Sequence, residues 1–133
     1  DMGIEITKDG YELIYPRSRI AVACRAAGIA PPLDTPFMID LKDIEALKDD
    51  AASAKQLGFQ GKLCIHPNQI EPVHVIFTPT AGEISFARRV VDAFDAAEAE
   101  RSAAILVDGK FVDYPVVERA RRILQLASII DGK

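Results

Sequence analysis

The stretch Lys62-Leu63-Cys64-Ile65-His66-Pro67-Asn68-Gln69-Ile70, entered through Phe59-Gln60-Gly61, decides how this chain is read. Its short apolar run ends at His66, and Pro67 stops it because proline has no N–H to give a sheet ladder. Asn68 is placed to cap the helix that starts there. A strand therefore ends with His66 and Asn68 together at its C-terminal mouth. In parallel α/β folds that end of a strand is where ligands are handled.

Upstream of this stretch one pattern occurs twice. Asp40 is a good N-cap, and behind it Ile44, Leu47, Ala51, Ala54 and Leu57 mark one apolar helical face that Gly58-Phe59 closes. Earlier, Pro16 suits a first helical turn, Ile20, Ala23, Cys24 and Ala27 recur at helical spacing, and Gly28-Ile29 makes the same ending. An extended segment over 29–39, broken by Pro31-Pro32 and Pro36, follows that first helix. Residues 1–14 read as loop, with Gly3 and Asp9-Gly10 as turn signals. Helix–Gly–strand in succession predicts parallel strands over 29–33 and 62–66, with a helix over 41–57 as the right-handed crossover. Two such units cannot close a sheet, so the expectation is the last portion of a larger α/β barrel.

Downstream the pattern changes. A short helix from 68 to about 77 leads into Thr80-Ala81-Gly82-Glu83, which has the spacing of a capping box. A long helix follows, with Ile84, Ala87, Val91, Phe94 and Ala97 on its apolar face. Ala104-Ile105-Leu106-Val107 and Lys110-Phe111-Val112 flank Asp108-Gly109, a strong two-residue hairpin signal. Asp113-Tyr114-Pro115 opens a last helix whose Val117, Ala120, Leu124 and Ala127 face inward. The expected division is residues 1–101 as barrel and 102–133 as an appended hairpin–helix lid.

Composition bounds the class. The chain has 133 residues, 49% of them hydrophobic and 27% charged, as expected of a globular domain that can bury a core. A net charge of -4 argues against nucleic acid or a membrane surface as general partner. No apolar run approaches the roughly 20 residues of a membrane span, and the first residues lack the regions of a signal peptide. Cys24 and Cys64, each among apolar neighbours and without a Cys-x-x-Cys, are expected to be buried thiols of a cytoplasmic protein.

Phosphate-loop and dinucleotide fingerprints, a His-x-x-x-His pair and a Gly-x-Ser-x-Gly elbow are all missing from the sequence. His66 at its strand mouth either touches a ligand or bonds a neighbouring strand end. Asp34, between Pro32 and Pro36, either orients a ligand or caps a turn. Asp40 and Asp43 are explained by helix capping and the helix dipole, and His74 by surface or packing. Arg88, Arg89, Arg119, Arg121 and Arg122 look like solvated helix faces, though one could meet a phosphate. Asp113 is in position to cap the last helix. Carried on an appendage that folds over a site, it would also suit proton transfer.

The series Tyr15-x-Arg17-Ser18, Leu33-Asp34-x-Pro36-Phe37-x-x-Asp40 and Leu57-Gly58-Phe59-x-Gly61-Lys62-x-x-Ile65-His66-Pro67-Asn68-Gln69-Ile70 resembles the citrate lyase β-subunit-like family. Phe77-Thr78-Pro79, Ala87-Arg88-Arg89 and Asp108-Gly109-Lys110-x-x-Asp113-x-Pro115 extend the resemblance over nearly the whole chain. That family includes malyl-CoA, citramalyl-CoA and citryl-CoA lyases. The resemblance implies a TIM (β/α)8 barrel that uses Mg²⁺ to make or break a C–C bond in a 3-hydroxyacyl-CoA, a coenzyme A thioester. It implies a homo-oligomer, trimer or hexamer, whose C-terminal lid reaches a neighbouring subunit's site. The matching residue for the proton-exchanging lid aspartate is Asp113. Asp34, Pro36, His66 and Asn68 would shape the mouth for CoA and substrate. The family's metal-binding Glu and Asp and its keto-acid-binding Arg lie on earlier strands. The ligand Asp precedes a pattern like Asp1-Met2-Gly3 by four residues, so Asp1 is not assigned and no metal ligand is expected here. The expectation is therefore a C-terminal part without the metal site, and a non-catalytic assembly module is the rival reading.

Overall fold

The computed structural model describes residues 3–99 and 105–132. It is an α/β structure of two compact units, Asp1–Phe77 and Thr78–Lys133. The boundary expected at 101/102 and the hairpin's Ala104 lie outside the described residues. By packing, the long helix belongs with the hairpin and last helix.

In the first unit a 3-10 turn at Tyr11–Leu13 leads into α1 (Ile14–Ala26). Strand β1 (Leu33–Asp34), helix α2 (Ile44–Gln56) and strand β2 (Gly61–Lys62) follow, and α3 (Ile70–Phe77) closes the unit. The strands pair in parallel, Leu33 opposite Gly61 and Asp34 opposite Lys62, as the repeated pattern predicts. They are shorter than the expected 29–33 and 62–66. Pro31, Pro32 and Pro36 bracket β1 and have no N–H to extend the ladder. Its flanking rungs are Gln60 N–H to Pro32 O and Leu63 N–H to Asp34 O, both 3.0 Å.

Both helices end as their glycines foretell. Gly28 and Gly58 have positive φ, and the next residue's N–H reaches back to Cys24 O and Ala54 O, 3.1 Å each. The buried face of α2 is Leu47, Ala51 and Ala54, and Leu47 packs with Phe37 and Val73. The expectation for α1 needs correcting. Its buried residue is Arg17, while Ile20 is 49% exposed, because the charged side chain reaches inward to carboxylates on β1 and α2. The cysteines differ from expectation too. Cys24 is half-buried and Cys64 exposed, since β2 ends at Lys62 and the chain then leaves the sheet.

Two caps also move. Asp43, not Asp40, caps α2, its Oδ1 accepting Ala46 N–H at 3.0 Å, while Asp40 Oδ1 accepts Lys42 N–H in the turn before. At the second strand's end His66, not Asn68, occupies the cap position of a 3-10 turn at Pro67–Gln69. Pro67 at the first turn position fixes φ there and shifts the cap one step earlier than Asn68 would require.

The second unit consists of α4 (Ala81–Ala99), the hairpin β3 (Ile105–Val107) and β4 (Lys110–Val112), and α5 (Tyr114–Asp131). The capping box forms: Glu83 N–H donates to Thr80 Oγ1 at 3.1 Å and Thr80 N–H to the Glu83 carboxylate at 2.8 Å. The hairpin pairs antiparallel, and Asp108 and Gly109 both take positive φ, as a type I′ turn demands. Ala87, Val90 and Phe94 of α4 pack with Val107, Val112, Val117 and Ala120 in one core. Tyr114 meets Phe94 edge-on at 5.0 Å between ring centroids. Among the described residues no helix is long and apolar enough to cross a membrane.

Candidate functional site at the strand mouth

Asp34 and Lys62 are register partners on neighbouring strands, so their side chains leave the sheet on the same side and meet the helices. Arg17 Nε donates to Asp34 Oδ1 at 3.0 Å, and one terminal nitrogen donates to Asp34 Oδ2 and to Asp50 Oδ1, 2.7 Å each. Lys62 Nζ completes the ring, 2.6 Å from Asp34 and 2.5 Å from Asp50, and donates its third hydrogen to Thr35 O at 2.8 Å. Two cations and two anions cancel. All three ammonium hydrogens are used, the arrangement a buried ion needs to offset its lost hydration. Burial alone would lower the Arg17 pKa; the hydrogen bonds from Asp50 and Asp34 outweigh it and hold the guanidinium above its ordinary value.

This ring fixes what Asp34 can do. Its carboxylate is 3% exposed and both oxygens are occupied by Arg17 and Lys62. Both oxygens thus face this chain's own cations. Pro36 follows in the same loop, half-buried, ahead of the buried Phe37.

His66 and Asn68 are brought together and exposed. Asn68 Nδ2 donates to Leu41 O at 2.7 Å, which turns its Oδ1 towards His66. That oxygen lies 2.6 Å from His66 Nδ1. Two lone pairs cannot face each other at that distance, so Nδ1 carries the hydrogen and donates it. The 3.3 Å approach of Asn68 N–H to the same nitrogen is then no hydrogen bond, because a protonated Nδ1 has no lone pair to accept it. With Nδ1 committed, Nε2 is the ring atom left to accept a hydrogen bond. Exposed Leu63 and Ile65 lie on the same segment.

Asp113 belongs to the second unit. Its Oδ1 accepts Val116 N–H at 3.3 Å, so it caps α5 as its spacing indicates. Two arginines of this unit are paired at the surface, Arg89 with Asp108 and Arg121 with Asp95, both 2.7 Å. Among the described residues no three His, Cys, Asp or Glu side chains are grouped to hold a metal ion. The sequence reading gave no role to Arg17, Asp50, Lys62 or Gln69. A signal did exist for Asp50: it lies on α2's buried face, three residues after Leu47 and four before Ala54, where a lone charge requires a buried partner.

Against this geometry, the family profile described as HpcH/HpaI aldolase/citrate lyase matches residues 1–67. The chain belongs to that family. Citrate lyase subunit beta of Leuconostoc mesenteroides subsp. cremoris is 43% identical over 96% of this chain and 42% of its own length. The corresponding Escherichia coli K12 subunit is 41% identical over 94% of the chain and 41% of its own. The chain thus spans about two-fifths of the length of these relatives. Among solved structures, CitE from Mycobacterium tuberculosis, in complex with magnesium, acetoacetate and coenzyme A, superposes with a TM-score of 0.72. That match has 32% identity and covers 95% of this chain and 46% of the other. This chain therefore shares the α/β fold of its citrate lyase-type structural neighbours.

Proposed function

We propose that this chain is the C-terminal part of a cytoplasmic carbon–carbon lyase acting on a 3-hydroxyacyl-CoA such as citryl-, malyl- or citramalyl-CoA. The observation that carries the reading is the 43% identity to a citrate lyase subunit beta over nearly all of this chain. The parallel strand mouth with His66 and Asn68 supports it. In this reading 1–101 supplies the last strands and helices of a (β/α)8 barrel, and 102–133 a hairpin–helix lid. The lid reaches a neighbouring subunit of a trimer or hexamer.

Cleavage passes the proton of the substrate's 3-hydroxyl to a general base, turns that C–O into the carbonyl of a keto acid, and leaves the C2–C3 electron pair on the acyl-CoA as an enolate. Asp113 then delivers a proton to the enolate carbon; in the reverse direction it removes one. His66 Nε2 accepts from a donor on the CoA thioester, Asn68 holds the ring in that tautomer, and Pro36 and Asp34 shape the loop beside it. Mg²⁺, the expected cofactor, supplies Lewis-acid chemistry at the keto acid's oxygens. In this reading its ligands belong to preceding strands; among this chain's described residues no three His, Cys, Asp or Glu side chains are grouped.

Asp113→Asn in the complete protein tests the reading. Asparagine caps nearly as well, so stability should hold while turnover falls roughly 10²-fold or more and CoA-ester binding persists. Turnover near wild type would return Asp113 to capping alone.

A further inference from the structure

The β1–β2 ladder ends with Leu63 N–H on Asp34 O, yet the two segments remain tied beyond it. Three side chains of the second segment each donate to a backbone carbonyl of the first. Lys62 reaches Thr35 O at 2.8 Å, Gln69 reaches Phe37 O at 2.8 Å, and Asn68 reaches Leu41 O at 2.7 Å. Gln69 differs from the others because it also accepts from a backbone N–H. Its Oε1 takes Ile65 N–H at 2.9 Å while Nε2 donates to Phe37 O. The amide therefore bridges the gap as a strand residue would, one edge donating and the other accepting. At 1% exposure it has no water to substitute for either bond.

We propose that Gln69 is a positioning residue of the strand mouth, fixing the 35–41 loop against Ile65 and thereby the place of His66, the next residue. The inference rests on the CoA-ester reading above and adds a residue which that reading does not use. Gln69 touches no reacting atom. Its effect passes through the two loops it joins, so loosening it should weaken the hold on the thioester rather than the chemistry on it.

The test uses the complete protein with Gln69→Glu and Gln69→Met. An ionised Glu side chain still accepts from Ile65 but sets an oxygen against Phe37 O. Methionine keeps the volume and makes neither bond. Both variants should raise KM for the CoA ester about tenfold with kcat per active site within about threefold, because misplacement of a binding loop is read in KM. Amide hydrogen exchange across 35–41 should quicken in both. KM unchanged, with losses confined to melting temperature or active fraction, would overturn the proposal and leave Gln69 a packing residue. Wild-type protein that cleaves no CoA ester would sink the functional reading instead. Exchange across 35–41 then decides the inference by itself, quickened exchange supporting it and unchanged exchange overturning it.

Discussion

Arg17, Asp34, Asp50 and Lys62 stand or fall together, because each buried charge is offset by the other sign. Lys62→Met in the complete protein should cost about 3–5 kcal/mol, the scale for leaving a buried ion without its partner. The double variant Lys62→Met/Asp50→Leu should lose less than the two single losses combined, read by urea unfolding. Exposed pairs behave differently. Lys8 Nζ lies 2.6 Å from Asp43, and its hydrogen bond, then Ala46 N–H, holds the carboxyl below 3.8. A depressed folded-state pKa stabilises above the unfolded value and is lost as pH falls through the folded one. Lys8→Met should move Asp43 back towards 3.8 in a carboxyl NMR titration and lower stability above that pH, removing the share of the acid-induced loss that Asp43 contributes. An unmoved Asp43 would show the ion pair is not formed in solution. A local role such as the Asp113 cap is legible, since donor and acceptor are three residues apart. Arg17 and Asp34 are not legible as a pair, because seventeen residues separate them and only the fold brings them together.

Elements were read well where the signal is periodic or stereochemical. The capping box at Thr80, the Asp108-Gly109 turn and the Gly28 and Gly58 endings all form where the residues demand them. The strands are shorter than the apolar run 62–66 implies, because that run continues past the last partner that the prolines of the first segment can offer. The inner side of α1 departs from its apolar spacing for a related reason. Its apolar spacing is real, but one arginine with two carboxylate partners sets the buried side. Thr80→Ala should destabilise α4 by about 1 kcal/mol, since it removes the oxygen that accepts Glu83 N–H. Native-state hydrogen exchange of the first turn of α4 would report it. No change there would mean that the box forms without contributing.

Taken whole, the chain displays apolar surface that its own two-stranded parallel sheet cannot cover. Leu63 is 51% exposed, and Leu33 and Ile65 are open beside it. A two-stranded parallel sheet also has both edges unpaired. Residues 1–133 expressed alone should therefore aggregate, and a cooperative monomeric melt would contradict that expectation. The proposed activity belongs to a longer protein than this chain, since its curated relatives are more than twice as long. Its most direct test is to incubate the complete protein with Mg²⁺ and, separately, citryl-CoA, malyl-CoA and citramalyl-CoA, following release of the keto acid and the shorter CoA thioester. The account predicts stoichiometric cleavage of at least one of the three. Intact esters in all three, from folded protein of full length, would contradict it.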